Sequence, residues 1–403
     1  MSTTSAVRFA SPEHGATPLA AAGEFAPLVL GPLTVWPPVV LAPMAGVTNY
    51  PFRKLARRFG AGLYVSEMIT ARGYLLGNRL TRLLASSHPD ERPRSVQIYG
   101  TDPLDLGEMA RQLVDEGVEH IDMNFGCPAP KVTRTGGGSA VTWKPRLLAR
   151  LVRAAVKGAG AVPVTIKVRK GLDDDKLTYL DSGAVAEAEG AAAIGLHART
   201  AAQLYSGLAD WDAVGELVTR VKIPVLGNGD VWECFDALTL MRKTGCAGVI
   251  VGRGCLGRPW LFAELAAVFD GREPPPPPAF GAIRAIMDEH ARLLIEFFGE
   301  LQGMRQMRKW CSWYTQGFPG SARARAELVR VASLEQMHAV LGRFDAELAF
   351  PPAALRVRRG KGSQCQVVAL PEGYLEQRDD DTPPRSPHTS AELAAYERAL
   401  DGG

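Results

Sequence analysis

Cys127 stands in Asn124-Phe125-Gly126-Cys127-Pro128, just after a short apolar run. A thiol of ordinary pKa, about 8.5, is mostly protonated at neutral pH and can give a proton to a carbanion-like carbon with no base beside it. A nucleophilic thiol would want a histidine within reach, and the nearest in sequence, His120, begins the same run and so falls at its other end. An inert buried thiol is the remaining alternative. Lys167 lies inside Val164-Thr165-Ile166-Lys167-Val168, where an unpaired ammonium is costly and calls for an anion. The charge that a reduced flavin carries near N1 would meet that need, and so would a neighbouring carboxylate. Two stretches, Gly227-Asn228-Gly229-Asp230 and Gly252-Arg253-Gly254, follow apolar runs and open helices, which is how backbone N–H groups come to cradle a phosphate. A monophosphate such as FMN suits them. Tight corners alone would explain the glycines but not Arg253.

These residues need elements that bring them together. From residue 28 to about 271 one pattern repeats: a short β-rich apolar run, a Gly or polar loop, then a stretch of helical period. The runs are 39–42, 63–66, 95–99, 120–124, 164–168, 193–197, 224–226 and 248–251. Eight strands alternating with helices over about 240 residues predict a (β/α)8 barrel of the TIM type, whose active site lies at the C-terminal ends of the strands. Strand ends then deliver Pro43, Met44, Ala45, Gln97, Asn124, Cys127, Lys167, Arg169, His197, Arg199, Asn228, Asp230, Gly252 and Arg253 to one mouth. The string GRGCLG at 252–257 spells GxGxxG, but a dinucleotide fold needs a further strand and an acidic residue about 20 positions on. Here the helix runs into Glu273 and five prolines, which rules out the open doubly wound sheet.

With 403 residues, 46% of them hydrophobic, the chain can bury a large core. Residues 1–27 read as a loose tail, 28–272 as the barrel, and 273–279 as a semi-rigid polyproline linker. Residues 280–350 read as an all-α helical bundle, and 351–403 as a largely disordered tail with one terminal helix. The linker is expected to leave the barrel able to hold its cofactor alone. A net charge of +3 neither demands nor excludes nucleic acid, so any basic footprint must be local. It falls in the bundle, where Arg305, Arg308 and Lys309 precede Trp310, Trp313 and Tyr314, with Arg323, Arg325 and Arg330 beyond. Such interleaving suits phosphates and stacked bases, although Trp313 and Tyr314 fit a bundle core equally well. Six cysteines without a CxxC pair exclude the usual zinc and iron–sulfur patterns and fit a reducing cytoplasm. The first thirty residues do not read as a leader peptide and no run of about 18 apolar residues is present, so no membrane role is expected, and the chain is expected to be a monomer.

Several segments resemble the tRNA-dihydrouridine synthases: LAPMAGVTNYPFR (41–53), SVQIYG (95–100), IDMNFGCPAPKV (121–132), TIKVRKG (165–171), LHART (196–200), VLGNGDV (225–231) and VIVGRGCLGRPWLF (249–262). RKWCSWY (308–314) is similar to that family's arginine-aromatic segment, and the likeness runs in order from about 36 to 345. It implies reduction of the C5=C6 bond of uridine in tRNA. NADPH or NADH reduces FMN, hydride passes from flavin N5 to C6, and Cys127 protonates C5. It also implies FMN contacts at Pro43, Met44, Ala45, Gln97, Lys167, His197, Asn228, Gly229, Asp230, Gly252 and Arg253. Asn124 would then lie near the uracil, and Lys131 and Arg199 near cofactor or RNA phosphates.

Two departures stand out. Ala198 occupies a position that is Gly in many members, so its backbone cannot need the left-handed region. Thr135-Gly136-Gly137-Gly138 suggests a mobile lid over the base. Two other functions compete: a barrel flavoenzyme acting on a small molecule, of dihydroorotate or ene-reductase kind, and an RNA-binding protein that no longer turns over. The basic helical part opposes the first, and intact Cys127 and Lys167 oppose the second.

Overall fold

A computed structural model describes residues 17–357, 359–360 and 364–384. The strands, in chain order, are β1 Leu28–Leu30, β2 Leu33–Val35, β3 Val39–Leu41, β4 Leu63–Tyr64, β5 Met68–Thr70, β6 Ser95–Tyr99, β7 His120–Phe125, β8 Val164–Arg169, β9 Ala193–His197, β10 Val225–Asn228 and β11 Gly248–Val251. Strands β3 to β11 form one sheet in the order β4-β3-β11-β10-β9-β8-β7-β6-β5, every neighbour parallel. The two ends of that order are consecutive in the chain. The second expected strand is split: β4 pairs with β3, β5 pairs with β6, and the chain changes partner between them. At the change Val65 N donates to Leu41 O (3.4 Å) and Ser66 N to Ser95 O (3.1 Å). The sheet therefore closes into the expected eight-position (β/α)8 barrel.

The sequence reading missed β1 and β2. Leu28, Leu30 and Val35 of this hairpin cluster with Val40, Leu63, Ala193, Leu226 and Ile250, plugging the barrel interior. Gly31 at its turn sits against Pro163, which precedes β8, so the plug closes the N-terminal end and leaves the other end for chemistry.

Helices Phe280–Phe298, Glu300–Tyr314, Ser321–Leu328 and Leu334–Leu341 make the helical part. Residues 273–279 have no regular structure, but they do not separate two cores. Trp310 is fully buried, its ring 4.5 Å from Phe52 on helix Tyr50–Arg58, and one continuous cluster joins bundle to barrel. Gly257, at φ +65°, lets the two backbones meet: a Cβ there would stand 2.4 Å from the carbonyl carbon of Trp313.

The segments expected to be loose are anchored at several points within their described residues. Arg242 pairs with Glu24 (2.6 Å) and Ala20 N donates to Val268 O. After Pro351, Leu355 and Tyr374 are buried, and Arg356 reaches Glu233 and Asp236. The acidic run meets the basic face of helix Pro145–Ala159: Arg146 faces Asp379 (3.7 Å) and Arg150 faces Asp381 (3.2 Å), while the adjoining Lys144 pairs with Asp380 (2.7 Å). Composition suggested disorder because each charge was weighed without its partner. The expected terminal helix lies outside the described residues.

Candidate active site

Side chains alternate along a strand, so β6, β7 and β8 each send every second residue inward. These are Ser95 and Gln97, then His120, Asp122 and Asn124, then Thr165, Lys167 and Arg169. Register puts Ser95 beside His120, Gln97 and Thr165 on either side of Asp122, and Asn124 beside Lys167. The opposite wall is the apolar cluster over the hairpin. The barrel interior is thus polar on one side and oily on the other.

The polar side is a directed ladder. Asp122, when ionised, can only accept, and it takes Thr165 Oγ1 (2.6 Å) and Gln97 Nε2 (2.7 Å). That fixes the Gln97 amide with its oxygen outward, accepting from Asn124 Nδ2 (2.8 Å). Asn124 in turn points its oxygen at the loop, where it accepts from Cys127 N (2.9 Å) and Gly126 N (3.2 Å). Below, the Thr165 hydroxyl already directs its hydrogen to Asp122, so His120 Nε2, 3.0 Å away, must be the donor to Thr165 Oγ1, and His120 Nδ1 accepts from Ser95 Oγ (2.7 Å). Burial lowers His120 to about 4, keeping it neutral. Burial raises Asp122 to about 6, against the pull of Thr165, Gln97 and the Lys167 charge. One buried carboxylate thus orients each amide up to the backbone of Cys127.

Cys127 is partly exposed at the mouth, as are Pro43, Met44, Asn124, Lys167, Tyr205 and Arg253. Lys167 has no hydrogen bond or ion pair among the described residues; burial, then the Arg169 cation, lower it to about 8. Gly195 on the adjoining strand admits Ile250, since a Cβ there would lie 2.7 Å from Ile250 Cδ1, and at ordinary contact distance from the Lys167 stem. His197 Nδ1 is buried without a partner, and burial together with the surrounding cations Arg169, Lys167, Arg199 and Arg253 holds this imidazole far below its usual range. Two adjoining strands therefore present an unpaired ammonium and an unpaired ring nitrogen, both suited to a polar, electron-rich group. Arg253 lies over the Tyr205 ring (4.2 Å) and near Trp232 (5.2 Å), with Gly252 between it and β11.

Other expected site residues are placed differently. Arg199 is 1% exposed and held on Asp230 (2.8 Å), Ser206 O and Gly207 O, with its Nη1 buried and without a hydrogen-bond partner among the described residues. Asp230, at φ +56°, also accepts from Ala209 N (2.7 Å); the pair fastens the 204–209 loop to the strand above it. Gly229 belongs to the same joint, where a Cβ would come 2.7 Å from Ala209 Cβ, and Asn228 Nδ2 ties β10 to Ile250 O (2.7 Å). Lys309 is bonded to Gly46 O and to Gln306 (2.7 Å), docking the bundle on the loop that carries Ala45. Arg308 caps Val331 O (2.9 Å) and Arg330 O. Of the three expected RNA contacts in the bundle, only Arg305 is exposed. Trp310 and Tyr314 are buried, whereas Trp313 is partly exposed. Lys131 is partly exposed on helix Pro130–Thr133, beyond Cys127.

The three glycines are not a lid. Gly138, at φ +55°, would place a Cβ 2.5 Å from Cys127 O, and Gly137 packs on Tyr99 and Val132. They permit close packing around the cysteine loop. Ala198 keeps negative φ as expected, since Leu204 and Asp230 are the non-glycine residues with positive φ among those described. Tyr205 went unrecognised, for nothing in its loop is periodic. Asp122 and Thr165 did leave a signal, the alternation His-x-Asp-x-Asn and Thr-x-Lys-x-Arg in otherwise apolar strands.

Fold and site together define a barrel oxidoreductase of the flavin-dependent class. The chain belongs to the dihydrouridine synthase (Dus) family, whose model matches residues 40–348. It is 48% identical over 375 residues to the probable tRNA-dihydrouridine synthase of Mycobacterium leprae, covering 86% of this chain and 97% of that protein. For the probable tRNA-dihydrouridine synthase of Mycobacterium tuberculosis H37Rv the identity is 49% over 364 residues, covering 88% and 93%. With tRNA-dihydrouridine synthase B of Xanthomonas axonopodis pv. citri it is 40% over 329 residues, covering 81% and 98%.

Proposed function

We propose that this chain reduces the C5=C6 bond of particular uridines in tRNA, with FMN as resident cofactor and NADPH or NADH as its reductant. The observation that carries the reading is Cys127, held by its own backbone N–H on the Asp122–Gln97–Asn124 ladder beside an unpartnered Lys167. FMN, when bound, supplies the hydride. Lys167 and His197 would hold its polar edge, Gln97 and the loop Pro43-Met44-Ala45 its ring, and Gly252 with Arg253 its phosphate. Asn228, Gly229 and Asp230 shape that phosphate corner from below, and Arg199 acts through Asp230. Asn124 meets the uracil, and Cys127 Sγ–H gives its proton to C5. Lys131 and the exposed Arg305, Arg323 and Arg330 face RNA phosphates. Among the described residues no helix is long and apolar enough to cross a membrane. A reducing cytoplasm, where tRNA is found, is the compartment the reading requires.

Cys127→Ala tests it. The substitution removes the proton donor but none of the residues assigned to the cofactor, so NADPH oxidation should stay near normal. Single-turnover oxidation of the reduced enzyme by tRNA, followed by flavin absorbance, should slow by about 10² to 10⁴-fold, the usual worth of a positioned general acid. Equal rates for both proteins would show that solvent supplies the proton. A colourless protein that takes up no FMN would sink the reading altogether.

A further inference from the structure

The loop that carries Cys127 satisfies part of its backbone internally, since Ala129, Pro130, Val132 and Thr133 O accept from N–H groups within it, but other carbonyls take donors from elsewhere. It holds Pro128 and Pro130, which have no N–H, and runs from Gly126 to the short 3-10 helix Gly138–Trp143. Cys127 O accepts from Ser139 N (3.0 Å) and Gly126 O from Arg169 Nε (3.0 Å). Further donors come from more than 230 residues away. Gln366 Nε2 donates to Pro128 O (2.7 Å), and the single Tyr374 Oη–H is shared between Ala140 O (3.2 Å) and Gly136 O (3.3 Å).

We propose that residues 364–384 form a positioning strap for the proton-donor loop, with Gln366 and Tyr374 as the residues that set where the Cys127 thiol stands. Gln366 spans the two lips of the mouth: its side chain also reaches Ala201 O (3.3 Å), and its backbone N–H donates to Ala202 O (2.8 Å). Tyr374 is buried beneath the Lys144 ammonium (4.6 Å to the ring), and Lys144 is itself paired with Asp380. Trp143 Nε1 donates to Leu375 O (3.2 Å). The loop is cut to receive the strap, because a Cβ on Gly136 would stand 2.8 Å from Pro384 and 3.1 Å from the Tyr374 ring. The glycines first read as a lid are thus the seat of a C-terminal segment. Neither Gln366 nor Tyr374 touches a residue assigned to the cofactor, so their effect is confined to the proton-donor side.

This inference rests on the proposed role of Cys127, and the test keeps the two apart. Full-length, flavin-loaded Gln366→Ala, Tyr374→Phe and the double variant are compared with wild type. In the double variant tRNA-driven oxidation of reduced enzyme should slow by about 10- to 100-fold, the scale of a misplaced reacting group, while NADPH oxidation and tRNA affinity hold. Independently, iodoacetamide labelling of Cys127 without substrate, resolved from Cys365 by peptide mass spectrometry, should change rate several-fold. Gln366→Asn with Tyr374 intact should recover part of both. Unchanged labelling and unchanged oxidation by tRNA overturn the strap. Equal loss in both half-reactions also overturns it, since the segment would then serve the fold at large. If labelling shifts but even wild type leaves tRNA unreduced, the strap stands and the assigned function falls.

Discussion

Asp122 is the residue from which the orientation of the site follows, and its replacement separates two kinds of role. In Asp122→Asn the new amide can accept from Gln97 and donate to Thr165. Thr165 must then donate to His120 Nε2, which forces the imidazole hydrogen onto Nδ1, facing Ser95. The partners of Gln97, Thr165 and His120 stay satisfied and Ser95 turns from donor to acceptor, so uridine reduction should remain within a few-fold of wild type while the His120 tautomer inverts, as imidazole nitrogen shifts will show. Large loss of activity would mean that the charge of Asp122, and not its hydrogen bonding, matters. Lys167 gives a second test at this scale. Unfolded, it titrates near 10.5; folded and flavin-free, near 8. Between those values the unfolded chain holds the extra proton, so stability rises with pH there, and the cost of burying the ammonium is fully present only below pH 8. Wild type should therefore gain on Lys167→Met in urea unfolding of flavin-free protein from pH 8 to 10. A constant difference across that range would contradict it.

At the scale of elements, the loop after β7 depends on Gly138. Gly138→Ala forces a left-handed alanine and a clash with Cys127 O, which should cost about 1–3 kcal/mol and slow tRNA-driven oxidation more than NADPH oxidation. Thermal unfolding and the two half-reactions read this out; a variant indistinguishable in all three would refute it. The barrel strands were legible because each is a bounded apolar run between turn residues, and strand ends led to Cys127, Lys167, His197 and Arg253. The hairpin plug was not, since two three-residue strands give too short a pattern to register. Nor could sequence tell which bundle cations face water. Arg308 and Lys309 sit beside Arg305 in the chain, but helical periodicity turns the first two toward backbone carbonyls of the bundle and the barrel.

For the whole molecule, bundle and barrel share one core across the polyproline stretch. A chain ending at Pro278 would leave Phe52 and the ridge around Gly257 facing water, so the barrel is not expected to stand alone. RNA binding is better probed on the surface. Arg305, Arg323 and Arg330 are exposed on that part, and replacing all three with alanine should flatten the slope of log affinity against log salt by about 2 to 3, as about one counterion is released per phosphate contact. An unchanged slope would move the RNA to another face.

The ring itself has a joint. Elsewhere around the barrel adjacent strands are stitched by ladders of parallel pairs, but between β4 and β5 the chain hands over from one neighbour to the next at Val65 and Ser66 through single bonds. A ladder stretches only if several bonds lengthen together, whereas a single bond yields at far lower cost. Elastic compliance of the wall is therefore concentrated there, beside Glu67, which accepts from Gly46 N (2.7 Å), and so beside the loop on which Lys309 docks. If the bundle grips a polyanion as proposed, strain arriving through it meets the barrel at its softest point, next to the loop of Pro43, Met44 and Ala45, and not at the strands that carry Lys167 and the cysteine loop.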